Sequence, residues 1–157
     1  MHTTVENENL RKKLKANFTF FNALTDDEVI SFLYYCENMQ VDAGENLWVE
    51  GDTDNYAAFI ISGKMGIKKR TEFEGKYMIV GTFDKGTVVG ELCLLTEKVR
   101  SVTAKILESA DILILSSQNF EKLITDNPML GLKLLRHIFL ITSKRLSRSY
   151  DRMASIF

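Results

Sequence analysis

From Val41 to Ser116 the chain alternates short runs rich in Val, Ile, Phe and Tyr with turn residues, among them NLWVEGD, YAAFIISGKMGIKK, KYMIVGTFDKG, SVTAKIL and DILILS. Glycines punctuate the runs at Gly44, Gly51, Gly63, Gly75 and Gly86, and the one proline, Pro128, lies outside them. Many short strands with glycine turns, and no proline to interrupt a hydrogen-bond ladder, predict a β-sandwich, jelly roll or barrel.

The flanks follow a helical period instead. Residues 1–16 read as a polar arm or short helix whose basic cluster, Arg11, Lys12, Lys13 and Lys15, forms a solvated face. Thr25-Asp26-Asp27-Glu28 makes a capping box, because the Thr hydroxyl and the Glu carboxylate each satisfy a free backbone N–H. It opens a helix expected to reach about Glu37, with Val29, Ile30, Phe32, Leu33 and Cys36 on its apolar side. After Ser116 the pattern turns helical again. Ser117 is the expected cap of a short helix through Phe120, Leu123 and Ile124, and Asn127-Pro128 opens a second helix running to about Arg152. On that helix Leu132, Leu135, Phe139, Thr142, Leu146, Ser149 and Met153 keep a 3–4 spacing, widened by Leu134, Ile138 and Ile141. So wide an apolar stripe needs two covering surfaces, its own β-domain and a partner helix.

Composition narrows the function. The 157 residues fit one domain of ordinary globular make-up, and 20 basic against 21 acidic residues leave a formal charge of -1, without the basic excess of a domain that holds DNA by itself. No run approaches the ~20 apolar residues of a membrane span, and the polar, mixed-charge start is not a secretory signal. Cys36 and Cys93 lie far apart in apolar surroundings and read as free thiols in a reducing cytoplasm. With only His2 and His137, both outside the strand region, neither a metal-dependent roll enzyme nor a Ser/His/Asp or Cys/His arrangement is supported. No catalytic residue, metal or cofactor is expected.

The segment from Gly86 to Ala104, GTVVGELCLLTEKVRSVTA, carries the chemistry. Gly90 lets backbone approach a ligand closely, and Glu91-Leu92-Cys93-Leu94-Leu95 suits one helical turn whose first N–H groups point outward with partial positive charge, as a phosphate requires. Arg100 follows in a β-branched stretch where burial wants an anionic partner, and Ser101 adds a hydroxyl donor. Glu91 is placed to accept from a sugar hydroxyl. Spacing alone slightly favours a plainer arrangement, an ion pair between Glu91 and Arg100 in a surface loop.

Gly-Glu-Leu-x-Leu-Leu followed after a short gap by Arg-Ser-x-Thr resembles the phosphate-binding cassette of the cyclic-nucleotide-binding domain family, which includes catabolite activator proteins and the regulatory subunits of cyclic-AMP-dependent protein kinase. Phe21-x-x-Leu24-Thr25-Asp26-Asp27-Glu28, Gly44-Glu45-x-Leu47, Glu50-Gly51-Asp52, Phe59-Ile60-Ile61-Ser62-Gly63, Asn127-Pro128 and Lys144-Arg145-Leu146 extend the resemblance over about 140 residues. It implies a mainly β chain with flanking helices: a double-stranded β-helix (jelly roll) over residues 18–127, an N-terminal arm over 1–17, and a long C-terminal helix over 128–157 that acts as lid and dimerisation element, with no helix-turn-helix after it. It also implies that Arg100 and Ser101, with the N–H groups of Leu92 and Cys93, hold the cyclic phosphate. Glu91 takes the ribose 2′-hydroxyl, Gly90 permits the approach, Ile67 and Val80 line the base pocket, and Ser149 or Tyr150 reaches the base from the helix. Val89, Cys93 and Val99 depart from the common aromatic, small residue and proline at their positions, which alters pocket shape without removing a charge.

The expected function is therefore a cytoplasmic sensor that binds cAMP in preference to cGMP, forms a homodimer through its long helix, touches neither nucleic acid nor membrane directly, and passes its signal to an effector that the sequence does not name. Two alternatives stand beside it. One is a ligand-free dimerising scaffold; the other is a DNA-associated regulator using Lys133, Arg136, Lys144, Arg145, Arg148 and Arg152, charges that equally form the solvated side of an amphipathic helix.

Overall fold

A computed structural model describes residues 4–156. Three helices, α1 (Thr4–Asn17), α2 (Thr19–Asn22) and α3 (Asp26–Leu33), precede eight strands. These are β1 (Glu37–Val41), β2 (Asn46–Trp48), β3 (Tyr56–Ile60), β4 (Lys64–Arg70), β5 (Tyr77–Asp84), β6 (Thr87–Val89), β7 (Thr103–Glu108) and β8 (Ala110–Ser116), with a 3₁₀ turn at Glu91–Leu94 between β6 and β7. Helices α4 (Ser117–Asp126) and α5 (Pro128–Ala154) follow. The strands form two antiparallel four-stranded sheets, ordered β1-β8-β3-β6 and β2-β7-β4-β5, the jelly roll anticipated from the glycine-punctuated runs.

Why β3 reads as an unbroken apolar run is visible in its packing. Successive side chains on a strand face opposite ways. Ala58 and Ile60 point between the sheets with Trp48, Met65, Ile67, Val89, Ile106 and Ile112, while Ala57 and Phe59 point to the other side with Phe18, Phe21, Phe32, Phe120 and Leu134 of the helices. β3 is thus buried on both faces, and β8 divides in the same way. Phe59 meets the helices through an aromatic cluster, its ring centroid 5.5 Å from Phe32, 5.8 Å from Phe21 and 6.0 Å from Phe18.

Helix starts follow the local chemistry. Thr25 and Glu28 form the reciprocal capping box, and the Asn127 side chain accepts the Leu130 N–H ahead of Pro128. Three boundaries differ from the sequence reading. α3 stops at Leu33 instead of Glu37, because Glu37 begins β1, where it pairs with Ile114 of β8. β1 is exposed except at Val41, so its sequence carries no strand signal beyond the partner that β8 supplies. The cap of α4 is Ser116, whose hydroxyl accepts the Asn119 N–H, and not Ser117. α5 extends two residues past the expected Arg152.

The basic cluster of α1 is a paired surface: Arg11 reaches Asp26 at 2.9 Å, Lys12 Glu8 at 3.0 Å and Lys13 Asp111 at 3.6 Å. His137 stacks on Phe20 with centroids 4.9 Å apart, and burial, then the charge of Lys144, pushes its pKa down. His2 lies outside the described residues. Among the described residues no group of His, Cys, Asp and Glu has the makings of a metal site, and no helix is long and apolar enough to cross a membrane.

Candidate ligand-binding site

A cavity of about 410 Å³ opens where β6 passes into the 3₁₀ turn, facing the loop that leads to β7, the second sheet and the side of α5. Gly90 sits at the hinge with φ +72, a left-handed backbone that an L side chain adopts only with strain. Space excludes a side chain there as well. A Cβ would fall 2.6 Å from Nη1 of Arg100 and 3.1 Å from both the Trp48 ring and the Tyr56 carbonyl oxygen.

Arg100 is held from two directions. Its backbone N–H donates to the Asp52 carbonyl and its carbonyl accepts the Gly51 N–H, each at 2.8 Å, which ties the loop before β7 to the turn after β2. Its side chain, only 3% exposed, runs between aromatic rings: the guanidinium carbon lies 3.9 Å from the Trp48 centroid and 4.5 Å from that of Tyr56. Nη2 donates to the Tyr56 carbonyl at 2.9 Å and Nη1 to Sγ of Cys93 at 3.2 Å, while Nε has no partner. Among the described residues no carboxylate forms an ion pair with it. A buried cation left without an anion is costly, so the local geometry favours an anionic ligand. Burial is also the main influence on Tyr56, whose hydroxyl pKa is raised against the opposing charge of Arg100.

Glu91 faces a different neighbour. Arg145 of α5 donates from Nη1 to Glu91 Oε1 at 3.0 Å and from Nη2 to the Val88 carbonyl, and its guanidinium carbon lies 4.8 Å from the Phe83 centroid. An ion pair between Glu91 and Arg100 is not what forms; Arg145, arriving from 54 residues away, takes that role.

The sequence-predicted residues are only partly brought together. Gly90, Glu91, Leu92, Cys93, Arg100, Ser101 and Ile67 line the cavity. The Cys93 N–H, expected to point freely at an anion, donates to the Gly90 carbonyl at 3.1 Å, a consequence of the tight 3₁₀ winding. Val80 is 45% exposed and does not line the cavity, because a bulge between Ile67 and Lys68 pairs Ile67 with Gly81 and Lys68 with Ile79 and turns the residue between them away. Phe83 stands there instead. Ser149 and Tyr150 also lie outside the lining: the Ser149 hydroxyl donates to the Arg145 carbonyl at 3.1 Å, and Tyr150 is exposed. Sequence reasoning missed Trp48 and Phe83 as lining residues. The aromatic at 48, placed just before Glu50-Gly51-Asp52, was the one available signal, since that turn is what carries Arg100.

A jelly roll that holds a buried arginine beside a glycine-led 3₁₀ turn, with a helix leaning on the same cavity, defines a small-anion-binding domain. The profile of the family described as Cyclic nucleotide-binding domain matches residues 38–127, more than half of the chain, and the protein belongs to that family. Among curated proteins, the cyclic AMP receptor protein of Thermus thermophilus is 27% identical over 111 residues, 71% of this chain and 51% of that protein. A lysophospholipase of Candida albicans is 28% identical over 132 residues, 82% of this chain but 9% of the enzyme. The chain therefore spans about half of the one relative and a small part of the other. Among solved structures, a cyclic nucleotide-binding domain from Methylobacillus flagellatus superposes with a TM-score of 0.82 at 21% identity, covering 96% of this chain and 84% of that one.

Proposed function

We propose that this chain is a non-catalytic cyclic-nucleotide sensor module that binds cAMP more tightly than cGMP. The observation that carries the reading is Arg100: a buried guanidinium with no carboxylate partner among the described residues, on the wall of a 410 Å³ cavity. In this reading Arg100, the Ser101 hydroxyl and the Leu92 N–H gather the cyclic phosphate, while Gly90 allows the ligand against the backbone. Glu91 accepts the ribose 2′-hydroxyl with the carboxylate oxygen that Arg145 leaves free, and Ile67 and Phe83 pack on the base. Ser149 and Tyr150 meet the base only when the end of α5 swings inward, so residues 18–127 act as the binding unit and the helix from 128 as its lid. The preference for cAMP rests on Ser101, with no threonine at that position, and the setting is cytoplasmic.

Exposed Leu132, Phe139, Leu146 and Met153 on α5 support a homodimer, as does a groove of about 630 Å³ lined by Leu92, Leu95, Leu135, Phe139 and Leu146. Direct DNA binding fits less well, because Lys133 and Arg145, two of the six basic residues it would use, are engaged by Glu28 and Glu91. A ligand-free dimerising scaffold is the second reading, favoured by the engagement of Glu91 with Arg145 and of the terminal Arg100 nitrogens with Tyr56 and Cys93. Calorimetric titration with each nucleotide separates the two. Saturable binding with cAMP tighter than cGMP supports the sensor; heat from neither supports the scaffold.

A further inference from the structure

Cys93 occupies a position that bears directly on Arg100. Its side chain is 8% exposed and borders two cavities, the 410 Å³ site and another of about 320 Å³ on the side of Ser117 and Glu121. A thiol sulfur is a weak acceptor. Nη1 of Arg100 nevertheless donates to it at 3.2 Å, while Nε of the same group and Nε1 of Trp48 beside it are buried without partners. This corner therefore holds a nine-tenths-buried cation that no carboxylate pairs with among the described residues, unused donors and an oxidisable sulfur.

We propose that Cys93 is a site of oxidation by hydrogen peroxide, and that its sulfinate is a built-in anion which occupies Arg100 and competes with the ligand phosphate. The inference rests on reading the cavity as a phosphate site. In the first step the thiolate sulfur attacks one peroxide oxygen: an S–O bond forms, the O–O bond breaks, sulfur loses two electrons, and the departing hydroxide leaves as water with the thiol proton. A second peroxide repeats the transfer and converts the sulfenic acid to a sulfinate, with water and a proton released to solvent as the other products. Two sulfinate oxygens beside the guanidinium offer the paired, charge-assisted contacts that a phosphate would otherwise make. The other thiol, Cys36, is less suited, since burial and then the charge of Glu37 push its pKa well up and leave little thiolate.

The test titrates cAMP into wild type, Cys36→Ala and Cys93→Ala, each reduced and each after peroxide, with peptide mass mapping and Trp48 emission recorded on the same samples. Oxidised wild type and Cys36→Ala are expected to gain two oxygens at Cys93 and to bind at least about tenfold more weakly than when reduced. Cys93→Ala is expected to keep whatever affinity it has, before and after treatment. If it does not fold, Cys93→Ser, which also lacks an oxidisable sulfur, takes its place. Peroxide that modifies Cys36 and spares Cys93, or a Cys93 sulfinate that leaves affinity unchanged, overturns the proposal. Should wild type bind neither nucleotide, the sensor reading has failed and Trp48 emission decides. An oxidation-dependent change in wild type that is missing from Cys93→Ala upholds the anion at Arg100, and no change refutes it.

Discussion

The guanidinium carbon of Arg100 lies over the Trp48 ring, 3.9 Å from its centroid, although the two residues are 52 positions apart. This contact sets where the charge can point. Stacking of a desolvated guanidinium on an indole is worth about 0.5–2 kcal/mol. Replacing Trp48 by Leu is therefore expected to weaken cAMP binding by roughly 2–30-fold. The chain has one Trp, so cAMP should also shift wild-type emission. Full affinity in Trp48→Leu would show that Arg100 needs no such support.

Gly90 is a stricter requirement. Ala at this position meets both a left-handed φ of +72 and an Arg100 nitrogen 2.6 Å from its Cβ. The backbone strain alone costs roughly 1–2 kcal/mol, so Gly90→Ala should melt several degrees lower in a thermal scan. It should also bind cAMP at least about tenfold more weakly, because Arg100 has to move. A variant with unchanged melting point and affinity would contradict this geometry.

Local chemistry was legible in the sequence wherever neighbours along the chain do the work. Thr25 with Glu28 and Asn127 with Pro128 start helices as read, and Gly90, Glu91, Leu92, Cys93, Arg100 and Ser101 lie together on one cavity. What could not be read arises between distant segments. Nothing near Arg100 announces Trp48 or Tyr56, because these contacts exist only once the roll has closed. Val80, placed on the base pocket by the family resemblance, sits at a bulge that turns it away from the cavity. α3 was drawn too long because Cys36 keeps helical spacing, whereas pairing with β8 claims the chain from Glu37 onward.

Signalling is expected to run through Arg145. It joins α5 to the 3₁₀ turn by its bond to Glu91 and to β6 through the Val88 carbonyl. Hydrogen exchange with and without cAMP should slow at residues 90–103 and 143–152 together, by an amount matching a coupling of about 1–3 kcal/mol. Arg145→Met should abolish the slowing at 143–152 and retain it at 90–103. Protection confined to the cassette in wild type would make α5 a passive strut.

Dimerisation is expected to depend on the exposed side of α5. Leu134 and Ile138 are buried against the domain, and Leu135 packs partly there, whereas Phe139 is 71% and Leu146 53% exposed. Phe139→Glu combined with Leu146→Glu should sediment as a folded monomer where wild type sediments as a dimer. A wild-type monomer at micromolar concentration would contradict the assignment.

The most direct test of the central claim is a calorimetric titration of cAMP into wild type and Arg100→Leu side by side, with circular dichroism confirming that both are folded. Removing a buried charge that meets the ligand phosphate should cost about 2–5 kcal/mol, a loss of roughly 30-fold to several thousand-fold in affinity. Equal affinity in the two proteins would place the phosphate elsewhere and contradict the account.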